Sequence, residues 1–298
     1  MDKCNEYNVV MPVVYKDFSF MRKTIKYVLS NLSPKKIFLL TDIRFSSYIP
    51  SEISVNDKIV VIDENRIVDG LTYNRIDELL KKQDRKHTKT GWYFQQFLKM
   101  GFSLSEYCDS DFYLVWDSDT IPLRKIHFFD DQGHPYFSMK TEYHVPYFDT
   151  IYRLLGVNKL NAKSYIAEHM MFSSEVMRKL IEKINDSDVI GDCWYEKIIN
   201  SLVEETISPF SFSEFETYGT FTKLYYPDLY RERQISGMRR GGLIQGRFVS
   251  ERIINELAND MDVASFEIYD RPPFPWGVFC QLYENYQKFR ESQIRRKF

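Results

Sequence analysis

Short apolar runs alternate with amphipathic segments between Asn8 and Trp116. The apolar runs predict four strands, at Asn8–Tyr15, Lys36–Thr41, Lys58–Ile62 and Phe112–Trp116. Between these runs, apolar side chains recur at helical spacing, which predicts helices at Phe18–Leu32 and at Gly91–Ser105 with Thr90 as N-cap. Strands that alternate with helices are typical of a mostly parallel sheet covered by helices. We therefore predict an α/β fold.

The alternation becomes less regular in the second half of the chain. Further strands are predicted at Tyr136–Met139, His169–Phe172, Lys223–Tyr226, Gly242–Phe248 and Phe266–Tyr269. Further helices are predicted at Ser174–Asn185, Trp194–Val203, Ser250–Met261 and Val278–Arg290. No internal repeat or low-complexity linker divides the sequence, so we expect a single domain of residues 1–298.

Composition and charge narrow the function classes. The net charge is −2, from 40 basic and 42 acidic residues, which argues against a nucleic-acid partner. The four cysteines lie far apart without a Cys-x-x-Cys pair, as expected for plain thiols in a reducing compartment. The early apolar run contains Pro12 and follows acidic residues, unlike a signal peptide, and no run approaches the ~20 apolar residues of a membrane span. We expect a cytoplasmic protein.

The acidic pair Asp117 and Asp119 follows the predicted strand Phe112–Trp116 directly. In open α/β sheets, ligands bind outside the carboxyl ends of the strands. Two carboxylates so placed offer the hard oxygen ligands that Mg²⁺ or Mn²⁺ prefers, and such an ion can hold a diphosphate. An Asp-x-Asp is also common in solvated loops, so its position after the strand favours a functional interpretation.

One face of the predicted helix after Thr90 combines three kinds of side chain. Trp92, Gln96 and Lys99 are spaced i, i+4 and i+7, and they supply a stacking surface, an amide and a cation. Aromatic residues make up 16% of the chain, which suits either sugar and base stacking or an aromatic core. The structural alternative is that Trp92 lies in the core and that Lys99 buries its aliphatic stem.

Four segments carry a resemblance to a known family. They are Gly-Trp-Tyr-x-Gln-Gln-x-x-Lys from Gly91, Trp-Asp-Ser-Asp-Thr from Trp116, Glu-His-Met-Met-Phe from Glu168 and Ser-Glu-Phe-Glu-x-Tyr-Gly from Ser213. Together they resemble the glycosyltransferases encoded in bacterial capsule and O-antigen gene clusters, over residues 8–225.

The resemblance implies a GT-A fold, which is a Rossmann-like nucleotide-sugar-binding fold, and a nucleotide-diphosphate sugar as donor. It divides the single domain into a nucleotide-sugar-binding half (1–125), an acceptor-side half (126–270) and a C-terminal helix with a basic tail (271–298). It implies Asp117 and Asp119 as the ribose and metal contacts. By the same likeness, the turn of Tyr15, Lys16 and Asp17 lies near the nucleotide. The helix residues Trp92, Gln96 and Lys99 join the expected donor site.

Three residues are candidates for catalysis. Glu214 and Glu216 could take the proton from an acceptor hydroxyl as general base. Ser213 and Glu216 also match a capping box, which would leave Glu214 as the better candidate. The resemblance places His169 near the donor sugar and acceptor, although a histidine beside apolar neighbours is commonly a core residue.

One feature departs from the family pattern. Many transferases of this fold use a C-terminal histidine as a metal ligand, whereas the five histidines here all precede residue 170 (87, 127, 134, 144 and 169). Either Asp228, Asp270 or water completes the metal shell, or metal binding is weak. Two basic segments could meet phosphates or be solvated loops, namely Arg85-Lys86-His87 with Lys89, and Arg239-Arg240-Gly241-Gly242.

These observations lead to one functional expectation with two alternatives. We expect a metal-dependent glycosyltransferase that moves a sugar to a hydroxyl of a bacterial surface polysaccharide or lipid-linked glycan. The aromatic and basic segment Tyr283–Arg290, with the basic tail Arg295–Phe298, could bring it to the inner face of the membrane through anionic lipids. A haloacid-dehalogenase-type phosphotransferase and a catalytically inactive carbohydrate-binding protein remain the alternatives.

Overall fold

Helices and strands alternate from Asn8 to Trp116 in a computed structural model, which describes residues 6–160 and 162–296. The strands are β1 Asn8–Pro12, β2 Ile37–Thr41, β3 Ile59–Asp63, β4 Phe112–Trp116, β5 Thr120–Pro122, β6 Tyr136–Ser138, β7 His169–Ser173, β8 Arg231–Arg233, β9 Gly237–Met238 and β10 Val263–Ser265. The helices are α1 Phe18–Asn31, α2 Ser51–Ser54, α3 Tyr73–Lys82, α4 Thr90–Gly101, α5 Val145–Leu155, α6 Ser174–Asn185, α7 Trp194–Ser201, α8 Glu214–Tyr225, α9 Gly242–Gln245, α10 Glu251–Leu257 and α11 Trp276–Arg295.

The main sheet has five strands in the order β3-β2-β1-β4-β7. Strand β1 pairs in parallel with β2, with Val9 opposite Ile37, and β2 pairs in parallel with β3. Every residue of β2 is buried, as expected for an apolar strand covered on both faces. The predicted α/β class, with a mostly parallel sheet flanked by helices, is confirmed.

The chain divides into two compact units. The described part of unit 1 consists of residues 6–7, 64–115, 129–160 and 162–233. Its core is rich in aromatic rings that meet edge to face or at a tilt, for example Phe172 with Tyr218 and Phe97 with Trp194. Unit 1 therefore uses much of the aromatic excess of the sequence for packing.

The described part of unit 2 consists of residues 8–63, 116–128 and 234–296. Strand β10 pairs antiparallel with β5 and parallel with β9. Apolar side chains of α1, β5 and α10 join this small sheet in a core of Phe20, Ile121, Leu123, Val249, Ile254, Ala264 and Phe266. The expectation of a single domain stays a prediction.

Most local predictions hold because they rest on strong periodicity. Helix α6 has the predicted bounds, and strand β4 does too. The α1 stripe of Phe20, Thr24 and Val28 is buried as expected. Within the described ranges, none of the helices has the length and apolar content that crossing a bilayer requires.

Three predicted strands are wrong. Residues 223–225 end helix α8, in which Tyr226 N–H still donates to the Thr222 carbonyl, so packing of the helix overrides the aromatic strand-like pattern. Residues 242–248 form α9 and a 3₁₀ turn, because Gly246 has φ +58 and breaks any strand. The last predicted strand is displaced, since β10 ends at Ser265, one residue before Phe266.

The predicted cap of the helix after Thr90 is also wrong. Lys89 is the N-cap, and Thr90 is the first helical residue. The Thr90 hydroxyl instead donates to Asp77 Oδ1 at 2.8 Å, so it ties α4 to α3 within unit 1. Helices α3 and α5 were not predicted, and both belong to unit 1.

Candidate active site

The loop that carries the acidic pair is fixed through its backbone. Thr24 Oγ1 donates to the Ser118 carbonyl at 2.8 Å, and Phe266 N–H donates to the Asp119 carbonyl at 2.9 Å. Thr120 N–H donates to the Asp117 carbonyl at 3.1 Å. These groups all lie in unit 2. A loop held at each carbonyl presents its carboxylates in one geometry, as a ligand site requires.

Four acidic side chains of unit 2 influence one another at this loop. A quarter of the Asp119 side chain (26%) is exposed. Burial of the carboxyl group, together with repulsion from Asp117, Asp17 and Glu267, raises the pKa of Asp119 to about 7. The sequence predicted Asp117, Asp119 and Asp17 as neighbours of one ligand, and the structure brings them together. The cluster therefore carries unneutralised negative charge that a cation would relieve.

Arg247 is the cation that faces this cluster, and sequence reasoning missed it. Its Nη1 lies 2.6 Å from Asp17 Oδ1, and its Nη2 lies 4.0 Å from Asp119 Oδ2. The side chain is 6% exposed and also donates to the Lys16 carbonyl. Burial opposes the charge of Arg247, but attraction to Asp17 and Asp119 outweighs it and raises the pKa of the guanidinium. One arginine cannot balance the four acids.

The acidic loop fits a divalent ion only in part. Asp117 and Asp119 supply hard oxygen ligands, but residues 6–160 and 162–296 contain no group of three or more His, Cys, Asp or Glu side chains arranged to hold a metal. Asp270 lies 3.6 Å from Arg240 Nε, and Asp228 is exposed and belongs to unit 1. Mg²⁺ commonly binds through one or two carboxylates together with substrate phosphates and water. The carboxylates of Asp117 and Asp119 suit this mode of metal binding.

The turn after β1 has a mainly structural environment. Tyr15 packs against Phe18, Phe45 and Tyr48, with ring centroids 5.1–5.7 Å apart. Lys16 is half-buried, and its carbonyl accepts the bond from Arg247. Of the three residues predicted near the nucleotide, Asp17 is the one whose side chain reaches the acidic cluster.

A buried ion pair in unit 1 joins two predicted site residues. Lys99 Nζ lies 3.0 Å from Glu214 Oε1, with exposed side-chain fractions of 4% and 6%. Gln96 Oε1 accepts the Glu214 N–H at 3.0 Å, and Lys99 also lies over the Phe215 ring. Gln96, Lys99 and Glu214 therefore form one cluster that joins α4 to the start of α8. The sequence had assigned them to separate roles.

Glu216 has the contacts of a structural anchor. Its carboxylate accepts bonds from the Ser164 hydroxyl at 2.6 Å and from the Tyr165 N–H at 2.8 Å, and it pairs with Lys159 at 3.3 Å. The Ser213 hydroxyl accepts the Glu216 N–H, which is the first half of the capping box. The Glu216 carboxylate thus holds the segment around Ser164 against α8.

His169 is a buried imidazole at the start of β7. Its Nε2 lies 3.1 Å from the Ser138 hydroxyl. Burial, with the nearby charges of Arg233 and Lys140, lowers the pKa of His169 to about 3. The side chain is therefore neutral near pH 7 and is a weak base. This environment matches the core histidine that the sequence left as an alternative.

Trp92 is half-buried among other aromatic rings of unit 1. It stacks on Tyr147 with a centroid distance of 6.4 Å and meets Phe210 edge-on at 4.9 Å. In the basic stretch before it, Arg85 is buried and donates to the Val203 carbonyl, so Arg85 does not serve as a surface phosphate contact. Trp92 is thus partly accessible, and Arg85 is structural.

The fold and the site define an α/β protein with an acidic cluster at the end of a central strand. The chain belongs to a family described as "Family of unknown function (DUF6492)", whose model matches residues 19–234. No curated protein sequence matches it.

Solved structures resemble the chain at low identity. A galactosyltransferase, LgtC, in complex with donor and acceptor sugar analogs is 10% identical, with 94% of this chain and 95% of that chain covered and a TM-score of 0.44. Mouse xyloside xylosyltransferase 1 is 9% identical, with 91% and 100% covered and a TM-score of 0.42. The glycosyltransferase GlyE of Streptococcus pneumoniae is 13% identical, with 98% and 62% covered and a TM-score of 0.40. Similarities of this size do not establish an activity for this chain.

Proposed function

We propose that this chain is a GT-A-type glycosyltransferase, which moves a sugar from a nucleotide-diphosphate donor to a hydroxyl group of an acceptor glycan. The observation that carries the proposal is the acidic cluster of Asp117, Asp119 and Asp17 on a loop fixed through its backbone. The motifs around Trp92, Asp117, His169 and Glu214 support it, because they resemble those of capsule and O-antigen transferases.

The proposed reaction is a substitution at the anomeric carbon of the donor. The acceptor oxygen forms the new bond to that carbon, the bond from the carbon to the diphosphate oxygen breaks, and the hydroxyl proton passes to a base. Asp117 and Asp119 would hold Mn²⁺ or Mg²⁺ against the diphosphate, and a bound ion would offset the charge that develops on the leaving group. We keep Glu214 as the candidate base because the sequence motif selects it; its carboxylate pairs with Lys99, so its environment is structural, as are those of the Glu216 carboxylate and the His169 imidazole.

Arg247 gives the proposed donor site a second source of positive charge. Its guanidinium already faces Asp17 and Asp119, and guanidinium groups bind phosphate oxygens in a planar fork. We propose that Arg247 orients the loop before the donor binds and contacts the diphosphate afterwards. The acceptor class, a bacterial surface or lipid-linked glycan reached from the cytoplasm, is part of the same proposal.

The test is release of nucleotide diphosphate from a panel of nucleotide sugars, with and without Mn²⁺ and with candidate glycan acceptors. We expect Mn²⁺-dependent release by the wild type and by the control Asp57→Asn, which changes an exposed aspartate of unit 2. Asp119→Asn should lose release, because it removes a charged ligand without removing volume. Equal activity of Asp119→Asn and wild type would contradict the assignment, and nucleotide-independent cleavage of aryl phosphates would favour the phosphotransferase alternative.

A further inference from the structure

Helix α11 exposes apolar side chains on the side opposite to its buried one. Its buried residues are Cys280, Glu284 and Ile294. On the opposite side, Val278, Leu282, Tyr286 and Phe289 follow one another at helical spacing, and each is more than half exposed. Leu282 is 61% exposed and Phe289 is 60% exposed. We call these four residues the outer face of α11.

The outer face is large for the surface of an isolated chain. At 1.5 Å per residue it extends about 17 Å along the helix. Phe274, which is 87% exposed, lies just before the N-terminal end of the helix. A surface helix usually turns its apolar stripe inwards, and a contiguous exposed stripe indicates a binding surface.

Basic side chains flank the outer face. Arg290 and Arg296 are exposed near its C-terminal end, whereas Lys288 pairs with Glu284 and Arg295 lies over the Phe45 ring. The acids of α11 are neutralised within unit 2, since Glu284 is buried and pairs with Arg271 and Lys288. Glu291 pairs with Arg295 at 2.8 Å. Residues 276–296 thus hold four basic residues against these two acids, so this part of the chain carries net positive charge beside the apolar face.

We propose that the outer face of α11 binds the surface of a bilayer that contains anionic lipid. A helix with an apolar face and basic flanks lies in the plane of the interface, with its aromatic and leucine side chains at the boundary of the acyl region. The basic flanks add attraction to anionic headgroups. The proposal deepens the proposed function, because a lipid-linked acceptor would be presented at such a surface, but binding itself needs no donor.

A second copy of the chain fits the same face less well. A two-fold pair would place the outer face against itself and would bring the basic flanks of the two copies together. Net positive charge on both copies opposes such a pair. The charge pattern thus favours an anionic partner over a second copy.

The test is co-sedimentation of the full chain with vesicles of phosphatidylcholine alone or with phosphatidylglycerol added, in the absence of nucleotide. We expect binding to the vesicles with phosphatidylglycerol, weakened by salt. The double variant Leu282→Ser/Phe289→Ser should bind at least about a hundredfold more weakly, at roughly tenfold for each large apolar side chain. Val55→Ser is the matched control, because Val55 is an 80% exposed apolar residue elsewhere in unit 2.

A second variant tests the charges separately. Lys288→Gln/Arg296→Gln should weaken binding to phosphatidylglycerol vesicles and reduce its dependence on salt, whereas Lys58→Gln should not. Absence of wild-type binding to either vesicle, or equal binding by the Leu282→Ser/Phe289→Ser variant, would overturn the proposal. A wild-type dimer in analytical ultracentrifugation that this variant converts to a monomer would assign the face to a second copy instead. None of these readouts depends on transferase activity.

Discussion

The buried ion pair of Lys99 and Glu214 allows a prediction that separates folding from catalysis. The two side chains are almost fully buried and 3.0 Å apart, so removing one leaves the other charged in the interior of unit 1. Breaking such a pair costs about 3–5 kcal/mol, whereas replacing both members with apolar residues is often close to neutral. We therefore expect Lys99→Met and Glu214→Leu each to be strongly destabilising, and the double variant to be much less so.

The measurement is the melting temperature of the two single variants, the double variant and the wild type by calorimetry. At about 2–4 °C per kcal/mol for a domain of this size, each single variant should melt roughly 6–20 °C below the wild type. The double variant should recover most of that loss, which a double-mutant cycle expresses as a coupling energy. Single variants that melt with the wild type would refute the reasoning.

The same double variant tests whether the pair of Lys99 and Glu214 takes part in turnover. A folded double variant without turnover would support such a role, and turnover retained by Lys99→Met below its melting temperature would then assign that role to Glu214. A folded double variant with normal turnover would make the pair purely structural.

Three further predictions concern single positions. The pKa of Asp119 in the folded protein is about 7, above the ordinary Asp value, so ionisation of its carboxyl group lowers the free energy of unfolding as pH rises from about 4 to 7. In urea titrations, Asp119→Asn should therefore be more stable than the wild type above pH 7 and should lose this advantage towards pH 4. The same pH dependence of stability in the wild type and in Asp119→Asn would contradict the raised pKa of Asp119. Gly219→Ala should destabilise by about 1–3 kcal/mol in the same assay, since an added Cβ would overlap the Tyr165 ring. Arg247→Met should weaken nucleotide-diphosphate binding in calorimetric titrations while Arg252→Met, at an exposed position of unit 2, leaves it unchanged.

Elements with strong local periodicity could be predicted from the sequence. Helix α6 begins at its Ser173 cap and buries Val176, Met177 and Leu180 at helical spacing, so its bounds follow from local pattern. Strand β4 is an apolar run followed by acids. The acidic loop could be predicted for the same reason, because Asp117 and Asp119 directly follow this strand in the sequence.

Contacts between distant residues could not be predicted in this way. Arg247 meets the Lys16 carbonyl 231 positions earlier, and no local pattern relates the two. Glu216 accepts bonds from Ser164, 52 positions earlier, so its capping-box spacing revealed only part of its role. The strand predicted around Arg247 failed because Gly246 has a positive φ of +58°, which a regular strand does not allow. In each case tertiary packing decided the role of the residue.

The central claim is that the acidic loop binds a nucleotide diphosphate together with a divalent ion. The most direct measurement is a thermal-shift panel of UDP, GDP, CMP and dTDP with and without Mn²⁺, on the wild type and on Asp119→Ala, because a ligand that binds only the folded chain raises its melting temperature. The account predicts a Mn²⁺-dependent rise with one nucleotide that Asp119→Ala abolishes. The absence of a shift with every nucleotide, or an equal shift in Asp119→Ala, would contradict it.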